Sequence, residues 1–124
     1  MEKSSRQFTL GSRLRSIGYA LHGMIRVFRF EQNARIHLFA AGIVTAMGFL
    51  FHLKRVEWIM VILCIGLVIA TEIMNTAIER LVDLVSPQKN EKARLIKNIS
   101  AGAVLFSALI ALITGLIIFI PYFL

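Results

Sequence analysis

From Ile99 to Ile120 the chain runs without one charged side chain, and no other feature of the sequence constrains its fold as tightly. A helix needs about 20 apolar residues to cross a bilayer, within a range near 17–25. Two more apolar runs precede this one. Ile36 to Leu53, IHLFAAGIVTAMGFLFHL, has a histidine near each end, and Val56 to about Ala70 continues in helical pattern through Asp83. Hydrocarbon offers no partners to backbone N–H and C=O groups, so segments of this kind span as helices. Three spans are therefore expected, at about 36–53, 56–83 and 99–120. The second is short unless it carries polar groups into the membrane.

Composition agrees. Of 124 residues, 57% are hydrophobic and the mean hydropathy is +0.74, against about 45–50% apolar in soluble domains. At this length one domain over 1–124 is expected. The net charge of +7 does not point to nucleic acid, because the cations are segregated outside the apolar runs. There they face anionic headgroups, at about 1 kcal/mol each. Cys64 lies within an apolar run and has no second cysteine to pair with, and one Cys with three His gives no zinc-ligand spacing. The opening MEKSSRQFTL is polar, with no cleavable signal. The first span is expected to act as its own insertion signal.

Charge also orders the spans. Lys3, Arg6, Arg13, Arg15, Arg26, Arg29 and Arg35 precede the first, and Arg80, Lys89, Lys92, Arg94 and Lys97 lie between the second and third. Only Lys54 and Arg55 separate the first from the second. The positive-inside rule puts the N-terminus and the 80–98 loop in the cytoplasm and the C-terminal PYFL outside, with Trp58 and Tyr122 at the outer interface. Over about 8–30, Leu14, Ile17, Leu21, Met24 and Phe28 share one helical face, and Arg15, His22, Arg26 and Arg29 the opposite one. This predicts an amphipathic helix in the headgroup plane or packed on the bundle. The third span has small residues at every fourth position, Ala103, Ser107, Ala111 and Gly115, a spacing that allows close helix approach in lipid.

The chemistry sits in ATEIMNTAIERLVDLV, Ala70 to Val85. Glu72, Asn75, Thr76, Glu79 and Asp83 recur at steps of three and four, so they share one arc of a helix that is otherwise aliphatic. A charged group at membrane depth costs roughly 2.5–3.5 kcal/mol on insertion scales. Pairing with cations of neighbouring helices would offset that cost for one such residue; for three together a ligand is the stronger reading. Oxygen donors suit Mg2+, which one or two carboxylates and substrate phosphates hold. A remaining carboxylate serves as general base for a hydroxyl, and Lys89, Lys92, Arg94 and Lys97 are placed to neutralise phosphates. The arrangement points to phosphoryl transfer from a nucleotide to a membrane lipid. No phosphate-binding glycine loop or protein-kinase motif accompanies it.

Glu72-x-x-Asn75-Thr76-Ala77-Ile78-Glu79-x-x-x-Asp83 resembles the signature of the small bacterial integral-membrane diacylglycerol kinases, a family that includes undecaprenol kinases. Gly18-Tyr19, Gly23, Glu31-x-Asn33-x-Arg35-Ile36-His37-Leu38 and Ala101-Gly102-Ala103-Val104-Leu105 extend the likeness from about Leu14 to Pro121. The resemblance implies an all-α homotrimer of the bacterial inner membrane, with active sites shared between protomers, ATP as donor and diacylglycerol or undecaprenol as acceptor. It implies Glu72 as general base, Glu31 and Glu79 as Mg2+ ligands, Asn75 beside the phosphoryl group and Lys97 on a phosphate. Arg13 and Asn98 complete the nucleotide-binding set. Asn98 stands where the family usually has Asp, and the 86–91 loop lacks a histidine often found there. A degenerate, non-catalytic subunit of the same fold is the alternative, and a transporter component a third reading.

Overall fold

A computed structural model describes residues 8–124. These form four α-helices, α1 (Leu10–Phe30), α2 (Gln32–Leu50), α3 (Arg55–Val85) and α4 (Glu91–Phe123). The last three are long and apolar enough to cross a membrane. The expected surface helix and three spans are all present. Lys3 and Arg6, counted in the charge bias, lie outside the described residues.

Thr9 starts α1 with a reciprocal cap: its Oγ1 accepts from the Ser12 N–H at 3.0 Å, and Ser12 Oγ accepts from the Thr9 N–H at 3.3 Å. None of its residues is buried, and Leu14, Ile17, Leu21 and Met24 are all exposed. Phe28 at the end of the stripe is half-buried, so most of the apolar face is left uncovered by the protomer, as in a helix lying in headgroups. One residue, Glu31, separates α1 from α2. Its extended backbone, φ −102° and ψ 118°, makes an elbow there.

Helix ends depart from the expected spans. α2 stops at Leu50, not Leu53, because the chain closes in a Schellman motif. The Leu53 N–H bonds to the Gly48 carbonyl at 3.1 Å and the His52 N–H to the Phe49 carbonyl at 3.4 Å, with His52 left-handed at φ 54°. Leu53 folds back and is buried. The interval 84–98, between the expected second and third spans, is helical except at 86–90. Here the Asn90 side chain caps α4 by accepting from the Ala93 N–H at 2.8 Å. Likewise α2 begins at Gln32, ahead of its apolar run. Helices project past the hydrocarbon, so hydropathy marks the membrane and not the helix.

The main packing is α3 against α4, antiparallel, with α2 along α3 and α1 touching lightly. The pair is tied at both ends. Lys97 pairs with Asp83 near the 86–90 loop, and at the far end Tyr122 donates to Glu57 Oε1 at 2.5 Å. Beside that second tie Leu53, Val61, Ile118 and Phe119 form the apolar core, with Phe51, Trp58 and Tyr122 packed on it. Of the small-residue row, Ser107 is buried against α3's side of the bundle, but a Cβ on Gly115 would meet nothing within 4 Å. Within the protomer the row is therefore not a continuous close seam.

At Gly48 the reverse holds. A Cβ there would stand 2.6 Å from Trp58 Cη2 and 3.1 Å from Leu53 Cδ1, and the Trp58 ring packs tilted against Phe49 with centroids 4.8 Å apart. Overpacking costs about 1–3 kcal/mol, against at most about 1 kcal/mol of helix propensity recovered. Gly48→Ala is expected to lower stability by about 1 kcal/mol, read as earlier thermal unfolding in detergent micelles; a raised melting temperature would contradict the packing at this turn.

Candidate active site

The polar arc of α3 is graded. Glu72, Asn75 and Thr76 are buried, at 3%, 7% and 6% exposure; Glu79 is half-buried and Asp83 exposed. Running toward the 86–90 loop, the arc therefore leads from the interior of the bundle out to its polar end. The Thr76 hydroxyl donates to the Glu72 carbonyl at 3.1 Å, a bond to its own helix that uses its one proton and leaves the oxygen only as an acceptor. Asn75 Nδ2 donates to Glu79 Oε1 at 3.3 Å. Asn75 Oδ1 is buried and has no hydrogen-bond partner among the described residues, an acceptor whose desolvation is uncompensated there.

Other helices bring the remaining groups. Near the start of α2, His37 Nε2 lies 3.5 Å from Glu72 Oε2. From the α1–α2 elbow, Glu31 Oε1 accepts from Arg80 Nη2 at 3.0 Å. That pair is partly exposed, so it contributes no more than about 1 kcal/mol. Lys97 is held by Asp83. Arg13 sits in the first turns of α1 with its guanidinium over the Phe8 ring at 4.3 Å, and Asn98 is exposed on α4. Glu72, Asn75 and Glu79 are thus gathered on α3, with Glu31 and Lys97 at its margins. Arg13 and Asn98 form no bond with the arc among the described residues. Nor do those residues hold a cluster of three His, Cys, Asp or Glu side chains fit for a metal.

Three residues that sequence reasoning gave no role belong to this region. His37 had a signal, an ionisable side chain inside an apolar run. Arg80 stands one position past Glu79 and so points to the elbow rather than along the arc. Ser100 is buried, one turn beyond Lys97, and its hydroxyl has no partner; no pattern in the sequence marks it.

Two cavities lie near the ends of the arc, one reaching His37 and the other Asp83. One, of about 430 Å³, runs between α2, α3 and α4 from His37 past Val68, Ala111 and Gly115 to Phe119 and Phe123. Its walls are almost wholly apolar. The other, of about 420 Å³, lies at the 86–90 loop and is bordered by Asp83, Lys89, Arg94 and Lys97. Room for an apolar ligand therefore reaches His37, the neighbour of Glu72, and room for an anionic one lies near Asp83.

Fold and site together define a class: a helical membrane protein whose acidic arc, with one buried carboxylate, runs between an apolar cavity and a cationic one. Residues 18–119 match the model of a family described as prokaryotic diacylglycerol kinase. The chain is 36% identical to the undecaprenol kinase of Bacillus subtilis (strain 168), over 98% of both chains. It is 37% identical to the diacylglycerol kinase of Synechocystis sp., over 86% of this chain and 61% of that one. With the diacylglycerol kinase of Haemophilus influenzae it shares 27% identity, over 86% of this chain and 91% of that one. The chain belongs to the prokaryotic diacylglycerol kinase family, and it is a lipid kinase.

Glu72 is buried without a hydrogen bond to its carboxylate from any described residue, so it opposes folding in the membrane. Glu72→Leu is expected to stabilise the protein by about 1–3 kcal/mol, as a higher melting temperature in detergent. A large loss of stability would instead make Glu72 a structural anchor.

Proposed function

We propose that the chain, as one domain over 1–124, transfers the γ-phosphoryl group of ATP to the hydroxyl of a membrane lipid, diacylglycerol or undecaprenol, with Mg2+ required. One observation carries the reading: the buried Glu72 carboxylate next to the head of an apolar cavity. An acyl or prenyl chain in that cavity would bring its hydroxyl to the carboxylate. Glu72 takes the hydroxyl proton, the lipid oxygen bonds to the γ-phosphorus, and the bond from that phosphorus to the β–γ bridging oxygen breaks. ADP and the phosphorylated lipid leave, and Glu72 gives up its proton to solvent. The family description supports diacylglycerol as acceptor, and the relative matched over 98% of both chains supports undecaprenol.

Glu31 and Glu79 are the residues to hold Mg2+. The oxygen donors fit, since Glu79 adjoins the unpartnered Asn75 Oδ1 and fewer than three acidic groups suit an ion that shares its shell with phosphates. When bound, the ion neutralises phosphate charge and aligns the γ-phosphorus with the attacking oxygen. Asn75 orients the phosphoryl group, and Lys97 exchanges Asp83 for a phosphate oxygen. Arg13 and Asn98 complete the nucleotide side. Neither bonds to the arc among the described residues of one protomer, which fits a homotrimer whose sites draw on neighbouring copies. In the proposed setting, a bacterial inner membrane, the N-terminus and the 86–90 loop face the cytoplasm and the C-terminus lies outside.

Radiolabelled phosphate should pass from ATP to at least one of the two purified lipids and fail to do so when Mg2+ is withheld. Label on neither lipid rejects the proposal. Glu72→Gln should lower kcat by about 10²–10⁴-fold while ATP binding and the trimer persist; undiminished turnover would remove Glu72 from the role of base.

A further inference from the structure

The geometry points to His37 as the residue that positions Glu72 for proton transfer, an inference that rests on the reading of Glu72 as base. Three observations meet at this side chain. Its Nε2 lies 3.5 Å from Glu72 Oε2, and it is three-quarters buried, at 25% exposure. It also borders the apolar cavity through which the proposed substrate hydroxyl would arrive, where the other walls are apolar but for Thr114 and Cys64. Finally, the polar neighbours of Glu72 on α3 make no bond to its carboxylate. Thr76 donates to a backbone carbonyl and Asn75 to Glu79.

A glutamate turns about three side-chain torsions, and a catalytic group must be held within about 0.5 Å of its productive place. Of the described side chains, His37 alone comes within ion-pair distance of this carboxylate. An Nε2–H donated to Oε2 fixes the carboxylate plane and leaves Oε1 to receive the lipid proton. At 3.5 Å the contact is longer than a formed hydrogen bond; catalytic contacts of this kind tighten when the ligand is bound. The requirement is for a donor at the Nε2 position, not for a group that titrates. The plain alternative is a histidine that only packs against α3.

Glutamine places its amide nitrogen where Nε2 lies, and asparagine places it nearer Nδ1, so the two variants separate these readings without removing a polar group. The full chain in detergent micelles would be assayed with Mg2+, ATP and each of the two lipids. His37→Asn should lower kcat about tenfold or more, with KM for ATP and lipid within about threefold, while His37→Gln keeps at least about a third of kcat. Combined with Glu72→Gln, His37→Asn should cost nothing further, because it acts through that carboxylate. Wild-type turnover in His37→Asn overturns the inference, as does a change confined to the lipid KM. An equal loss in His37→Gln overturns it too, since that outcome requires a titrating group. Glu72→Gln assayed alone keeps the two readings apart. If it is active the base assignment fails; if it is inactive and His37→Asn is not, only the positioning role fails.

Discussion

Lipid dissolves a leucine as readily as a protein interior does, and the placing of side chains in this protein follows from that. Leu63, Phe106, Ile113 and Ile117 are each more than half exposed in the protomer, along with most other large aliphatic groups. The buried set is small, and Glu72, Asn75, Thr76, Ser100 and Ser107 make up much of it. In water such a distribution would not fold, because apolar burial drives the soluble case. In a bilayer the groups that must leave the solvent are the polar ones. The polar residues of the α3 arc accordingly turn toward the inside of the bundle, Glu72, Asn75 and Thr76 being buried there.

Within the α3–α4 packing, the polar and aromatic ties lie at the ends. Asp83 with Lys97 closes one end; Glu57 with Tyr122 and the ring cluster around Phe51 closes the other. The first tie has a second meaning under the proposed chemistry. Lys97 is occupied by Asp83, and Glu31 by Arg80, before any nucleotide arrives. A magnesium-bound triphosphate supplies the opposite charge to each of Lys97 and Glu31, so its binding exchanges partners rather than uncovering bare charges. Both pairs are partly exposed and individually weak, which keeps the exchange within reach of modest binding energy.

What the sequence discloses, and what it conceals, divides along physical lines. Spans and the α3 arc are periodic properties of single helices, and both are readable from spacing alone. Helix ends are not. The turn after Leu50 uses His52 in the left-handed region, where glycine would have announced it, and Glu91–Asn98 is helical yet polar. Contacts between helices are also hidden. Nothing in the sequence says that His37 meets Glu72 or that Arg80 reaches Glu31, because each pair depends on how α2 rotates against α3 and on the elbow at Glu31. Arg13 and Asn98 show the same limit from the other side: a family likeness can supply their role, but one protomer does not bring them to the arc.

The small residues of α4 unite these points. Read as a packing row, Ala103, Ser107, Ala111 and Gly115 should bring two backbones together throughout. They do so only in part: Ser107 is buried, with its hydroxyl turned back to the Ala103 carbonyl at 2.9 Å, while Ala111 and Gly115 border the apolar cavity. Small side chains permit close approach where a neighbour fills the space and leave volume where none does. With the helices tied at their ends, the middle of the bundle stays open on the side of α2. That opening ends at His37, where the apolar wall gives way to the carboxylate of Glu72. The residues that weaken the packing of this thin protomer thus shape the path by which a lipid would reach its buried acid.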